Sequence, residues 1–182
     1  MAIGTWAGMY QAISNTGRIG LIWVDAHMDS HTSETSPSGA IHGMPLATLL
    51  GCGKSELTNI GVDGPTLLPE DVCLVGVRSF EAAEIELLSR LGVRIFFMDE
   101  IKHRGLTAVI QEAACIVNSG TAGFGVSIDL DVIDPRDAPG VGSPEPDGLH
   151  GEELVKSLTL LKRDPRLLAI EIVEFNPTRD KA

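Results

Sequence analysis

Two short stretches hold most of the chemistry this sequence can perform. The first is Trp23-Val24-Asp25-Ala26-His27-Met28-Asp29. The second is Ser127-Ile128-Asp129-Leu130-Asp131-Val132-Ile133-Asp134-Pro135. In each, an apolar run leads directly into metal-binding side-chain types at alternate positions. Alternate residues of an extended backbone project to one side. Asp25, His27 and Asp29 are therefore expected to converge, and Asp129 and Asp131 to share a face. Carboxylates gathered in a semi-buried pocket repel one another and lose hydration, and divalent cations are the natural compensation. An oxygen-rich set with a single imidazole suits Mn²⁺ or Mg²⁺ better than a structural zinc. Asp25, Asp29, Asp129 and Asp131 together exceed the charge that one ion needs. That points to two ions with bridging carboxylates, a pair able to activate water against an unreactive carbon centre. A lone aspartate after a strand is more often a cap or turn residue. The specificity lies in two such patterns occurring together. Asp134, preceding Pro135, reads as a turn residue.

Such side chains need rigid supports. Residues 19–24, 72–77, 93–97, 124–130 and 168–175 read as strands, nearly continuous in apolar or β-branched residues and so expected to be covered on both faces. Amphipathic stretches lie between them. Phe80, Ala83, Leu87, Leu88 and Leu91 fall on one helical face, with Ser79 as N-cap and Gly92 as stop. Leu106, Val109, Ile110, Ala113, Ala114 and Val117 repeat the pattern, and Leu154, Leu158 and Leu161 make a third face. A shorter helix is expected over 44–50. Strand–helix alternation predicts a three-layer α/β/α fold with a mainly parallel sheet. The polar loops 30–42 and 135–148 follow strands. They should line the carboxyl edge of the sheet, where ligands bind in this architecture.

The 182 residues, 43% of them apolar, suit one folded domain. No apolar run has the length of a membrane span, and the opening Met1-Ala2-Ile3-Gly4-Thr5-Trp6 does not read as a secretory signal. Cys52, Cys73 and Cys115 are unclustered, which favours reduced thiols and a cytoplasmic location. The net charge of −11, from 14 basic and 25 acidic residues, disfavours nucleic acid and anionic membranes as partners. It favours a cationic substrate or metal ions.

Asp25-Ala26-His27-Met28-Asp29 resembles the D-A-H-x-D motif of the ureohydrolases, and 127–135 resembles their S-x-D-x-D-x-x-D-P motif. Ile41-His42-Gly43-Met44-Pro45, Gly140-Val141-Gly142-Ser143-Pro144 and Glu171-Ile172-Val173-Glu174-Phe175-Asn176-Pro177 match in order and spacing. Within the family the resemblance is closest to arginases, through Ser36-Pro37-Ser38-Gly39. It implies manganese-dependent hydrolysis of a small cationic guanidino substrate, most directly L-arginine to L-ornithine and urea, by a homo-oligomer. Asp25 and Asp129 would bridge two manganese ions. Asp29, counted also among the catalytic residues, would complete one ion's shell, and His27 with Asp131 the other's. His42 would be the acid–base group, and Glu174 would pair with the guanidinium. Ser38 would meet the substrate's α-carboxylate, Glu81 its α-amino group, and Ser143 would line the pocket.

The match departs in places. Family members are longer, and a G-G-D-H-S motif, whose histidine joins Asp29 on one ion, precedes the segment matching Ala2-Ile3-Gly4-Thr5. On this reading, 1–182 is a single catalytic domain incomplete at both ends, holding one or two ions. His31 and Ala40 stand where arginases often have Asn. Agmatinase or another ureohydrolase specificity, or a fragment without activity, are the alternatives. His31, His103 and His150 have no assigned role and read as solvent-facing.

Overall fold

The computed structural model describes residues 1–180. α1 (Ala2–Ile13) precedes β1 (Ile19–Val24), and two short helices follow, α2 (Pro45–Leu49) and α3 (Ser55–Thr58). Next come β2 (Val72–Val77), α4 (Ala82–Leu91), β3 (Arg94–Phe97), α5 (Met98–Arg104) and α6 (Leu106–Val117). β4 (Gly123–Asp129), α7 (Gly151–Thr159) and β5 (Leu167–Val173) complete the order. The five strands form one sheet, β3-β2-β1-β4-β5, with every strand pairing parallel. No helix among the described residues is long and apolar enough to cross a membrane.

The period-two pattern of the strands divides the core between the two faces. Leu21, Trp23 and Leu74 pack with Trp6 of α1, Leu46 and Leu49 of α2 and Leu88 of α4. Ile22, Val24, Val75 and Val126 pack on the other side with α5, α6 and α7 through Ile101, Leu106, Val109, Ile110 and Leu154. The result is the expected α/β/α sandwich. From β1 the chain builds outward through β2 and β3, then returns to lay β4 on the opposite flank of β1. The order therefore reverses between β1 and β4. A crevice at the carboxyl ends of strands flanking such a reversal is where open α/β sheets bind ligands.

Two expectations are corrected. Ser79 does not cap α4. Glu81 does, in a reciprocal capping box with Glu84, whose carboxylate accepts the Glu81 backbone N–H at 3.0 Å. A glutamate at both positions satisfies two orphan donors of the helix terminus at once, and Phe80 is left outside the helix, 44% exposed. The second correction concerns β5. It lies at the sheet edge, and Leu168, Ile170 and Ile172 are 38, 52 and 62% exposed, so only one of its faces is covered. An apolar run signals burial on both faces only when something packs on the second.

Gly76 controls how β2 passes the site. Its φ is +101°, and the pairing of β2 with β3 shifts register between Val75 and Val77. A Cβ here would press on the Val132 side chain and lie 3.3 Å from the Asp25 carbonyl oxygen. Gly76→Ala combines left-handed strain with overpacking. It is expected to cost about 1–3 kcal/mol, read as a lower midpoint in urea denaturation. An unchanged midpoint would show that the kink can relax.

Candidate metal centre and active site

The acids converge because the strands stop, not because they continue. β1 ends at Val24, paired with Ile128 of β4, so Asp25 and Asp129 occupy adjacent strand ends. Asp25 keeps one more sheet contact, its N–H donating to the Val75 carbonyl at 3.0 Å. Beyond it the backbone turns. Asp29 adopts φ +49°, a left-handed conformation costly for a residue with a side chain. β4 likewise gives way to a 3₁₀ turn over Leu130–Val132, in which the Asp131 N–H donates to Asp129 Oδ1 at 2.9 Å. Turns rather than a continuing extended backbone thus set the positions of these side chains. Tight turns fold the acids inward where extended strands would have splayed them.

Asp25, His27 and Asp131 each present a donor atom, all within 4.8 Å of one another. His27 Nδ1 lies 3.0 Å from Asp131 Oδ2 and 3.6 Å from Asp25 Oδ1. Asp25 is further fixed by the Trp23 indole N–H, which donates to Oδ2 at 2.9 Å, and by the His27 N–H, which donates to Oδ1 at 2.7 Å.

The electrostatics register the crowding. Burial, with help from Asp131, raises the Asp25 carboxyl to about 6 against the pull of His27. Burial and the charges of Asp25 and Asp131 push Asp129 up to about 9. Burial, Asp25 and Asp129 hold Asp29 well above the usual carboxylate range. For His27, burial works against the charged ring, but hydrogen bonds to Asp131 and Asp25 outweigh it and carry the imidazole to about 11. Without a cation, these groups keep protons that carboxylates normally shed. Among the described residues, no lysine or arginine lines the cleft above them. Hard divalent cations fit this donor set and would relieve its repulsion.

The cleft, about 290 Å³, has His27, Asp29, Asp129 and Asp131 on its floor. Loop 30–42 supplies Ser38, Ala40 and the exposed His42, which lies in a 3₁₀ turn, Ile41–Gly43. Glu81 comes from the start of α4, Ser143 from loop 135–148, and Glu174 from the end of β5. Glu174, like Asp29, is a non-glycine residue with positive φ, +62°, and this turn ends β5 one residue earlier. All ten residues singled out by the sequence thus lie at one edge of the sheet, with Asp25 buried behind the others. A neighbouring cavity of about 250 Å³ reaches Asp29 and Asp129 from the side of residues 1–3.

Residues beyond those ten also reach the site, His31 among them at a position where arginases often have Asn. His31 is not solvent-facing: it is 7% exposed, with Nε2 3.3 Å from Glu81 and 3.6 Å from Glu84. Glu145 lies 3.5 Å from His27 Nε2. Nothing in the local pattern marks either, since both depend on contacts across loops. Asp134 accepts from Arg136 Nε at 2.7 Å and from its backbone N–H at 3.0 Å, which matches a turn residue.

The molecule is an α/β/α protein whose parallel sheet carries an acid-lined cleft at its strand-order reversal, with donor atoms grouped as a metal ion would need. The chain belongs to the arginase family, whose model matches residues 1–182. The arginase of Brevibacillus brevis is 44% identical over 181 residues, covering all of this chain and 60% of that protein. The native structure of arginase from Bacillus caldovelox superposes with a TM-score of 0.94 at 43% identity, over 99% of this chain and 59% of that one. Formimidoylglutamase from Bacillus subtilis gives a TM-score of 0.80 at 28% identity, over 98% and 52% of the two chains. The chain thus spans about 60% of the length of the curated arginases it matches.

Proposed function

We propose that this chain forms a ureohydrolase-type catalytic unit that splits a guanidino substrate into urea and an amine, with L-arginine as the leading substrate. One observation carries the reading: the acid cluster, short of cations, floors a cleft whose walls present an exposed imidazole and a carboxylate at a strained strand end. The relatives support the same direction, since they include arginases and a formimidoylglutamase. Manganese is the proposed metal, held by Asp25, His27, Asp29, Asp129 and Asp131. When bound, a pair of such ions supplies water activated at neutral pH and offsets developing negative charge.

The remaining work falls to the chain itself. Glu174 meets the planar guanidinium through a bidentate pair, a favoured geometry for carboxylates, and orients its carbon over the floor. His42, at the cleft wall, hands a proton to the departing amine, a task suited to imidazole. Ser38 and Glu81, which line the cleft, take an α-carboxylate and an α-amino group, and Ser143 offers a further hydroxyl. The acid-lined cleft attracts a cation and repels anionic competitors. A cytoplasmic homo-oligomer goes with this reading, and the exposed apolar side chains of β5 support burial against further polypeptide.

Urea release tests it. Mn²⁺-loaded protein is assayed for urea with L-arginine, agmatine and guanidinobutyrate, and for formamide with formimidoylglutamate, at matched concentrations. Arginine is expected to turn over fastest, because agmatine leaves Ser38 without its carboxylate. Faster turnover of agmatine would reject the arginine assignment and throw weight on His31 and Ala40. Retained manganese with neither urea nor formamide released from any of the four would reject the hydrolase reading itself.

A further inference from the structure

Behind His27 and Asp131 lies a second layer of polar contacts that the proposed reaction does not use. Among the described residues, Arg78, just past the end of β2, makes no carboxylate pair. Its guanidinium instead donates to backbone carbonyls of three segments. Nη2 reaches the Asp131 oxygen at 2.8 Å and the Glu145 oxygen at 2.8 Å. Nε reaches Pro146 at 2.9 Å, and Nη1 reaches Val132 at 3.2 Å and Gly76 at 3.3 Å. A rigid planar fork of this kind fixes the relative position of whatever it bridges. Here it ties the turn carrying Asp131 to the turn carrying Glu145.

Glu145 is thereby aimed. Its Oε1 accepts the Ser79 hydroxyl at 3.1 Å and lies 3.5 Å from His27 Nε2. The opposite ring nitrogen, Nδ1, is the one facing Asp131 and Asp25. We propose that Glu145 is a positioning residue for the metal centre: it takes the Nε2–H of His27, so that Nδ1 presents its lone pair to the ion, while Arg78 and Ser79 hold Glu145 in place. A ligating histidine whose far N–H is engaged by a carboxylate has its tautomer and ring orientation fixed and its basicity raised. Neither the D-x-H-x-D nor the D-x-D pattern includes this residue. Its reach to His27 spans more than a hundred positions of sequence and exists only once the Arg78 fork has closed loop 135–148 onto β2.

The inference rests on His27 being a ligand, so the test begins there. Mn²⁺ affinity is measured by calorimetric titration for the unmodified chain, Glu145→Ala and Glu145→Gln, alongside the melting midpoint of each metal-free protein. Glu145→Ala is expected to bind Mn²⁺ about 10–100-fold more weakly with an unchanged metal-free midpoint, a split that a purely structural role would not produce. Glu145→Gln keeps an oxygen acceptor and should recover most of the loss. Binding by Glu145→Ala within twofold of the unmodified chain overturns the proposal, as does a Gln variant no tighter than Ala. Should Glu145→Ala fail to fold, the Gln variant decides: binding near that of the unmodified chain supports the proposal, and a full 100-fold loss overturns it. If the unmodified chain takes up no Mn²⁺, the metal-centre reading falls first and this one with it.

Discussion

Asp129→Asn is expected to remove tightly held Mn²⁺ and to reduce urea release by more than about 100-fold, while the metal-free protein melts no lower than the unmodified chain. The two halves of this outcome have one origin. Asp129 sits at the end of β4 beside Asp25, and burial together with the charges of Asp25 and Asp131 pushes its carboxyl up to about 9. Such a group costs stability when ionised without a cation. Asparagine removes the charge yet keeps the oxygen that accepts the Asp131 N–H at 2.9 Å, so the turn after β4 should hold. On the proposed reading, a carboxylate that would hold manganese loses its charge. Removing a partner outside the coordination sphere already costs about 10–100-fold in metal affinity or activity, and losing a donor that would hold the ion itself should exceed that. Elemental analysis after dialysis, urea assay and thermal melting give the three readings. A variant that kept both manganese and activity would take Asp129 out of the centre. One that melted many degrees lower would show that its role is structural.

The sequence made the layers legible because strand and helix periods are local properties. The apolar run of β1 and the repeating face of Leu106, Val109, Ile110 and Ala113 each carry their own signal. The acids were legible as well, since they sit at strand ends next to those runs. What local patterns could not contain was geometry created by turns. Asp29 at φ +49° and Glu174 at φ +62° are conformations that no composition rule assigns to acidic residues. They persist only where the surrounding structure imposes them. His31 escaped for a related reason: its burial is created by the Glu81–Glu84 capping box folding against loop 30–42, a contact across about fifty residues. The exposed face of β5 was misread because an apolar strand reports a preference for burial and says nothing about whether a partner is at hand.

The metal-free protein is expected to lose thermal stability steadily between pH 5.5 and 8.5, and the stabilisation that Mn²⁺ confers should grow over the same interval. A group whose pKa is higher in the folded than in the unfolded chain supports folding fully below its unfolded value, and that support fades as pH climbs through the folded value. Unfolded aspartates titrate near about 4. Asp25 at about 6 therefore withdraws the last of its support at the acidic end of this window and Asp129 at about 9 across all of it, and Asp29, also raised, acts in the same sense. His27, lifted to about 11, begins to withdraw its contribution above its unfolded value near about 6.5. The lowered carboxyls of Glu34, Glu100 and Asp137 act in the opposite direction but only at more acidic pH, so they do not mask the trend. Manganese binds the deprotonated donors and must displace fewer protons as pH rises. At about 100 times its dissociation constant it should add about 2.7 kcal/mol, or roughly 5–10 °C for a chain of this size. Melting curves with chelator and with Mn²⁺ at three pH values read both slopes. Asp129→Asn should flatten the metal-free slope, because a carboxyl raised to about 9 is gone. A metal-free midpoint that stayed level or rose toward pH 8.5 would mean that these carboxylates do not share one crowded site. The case for divalent ions would then lose its physical basis.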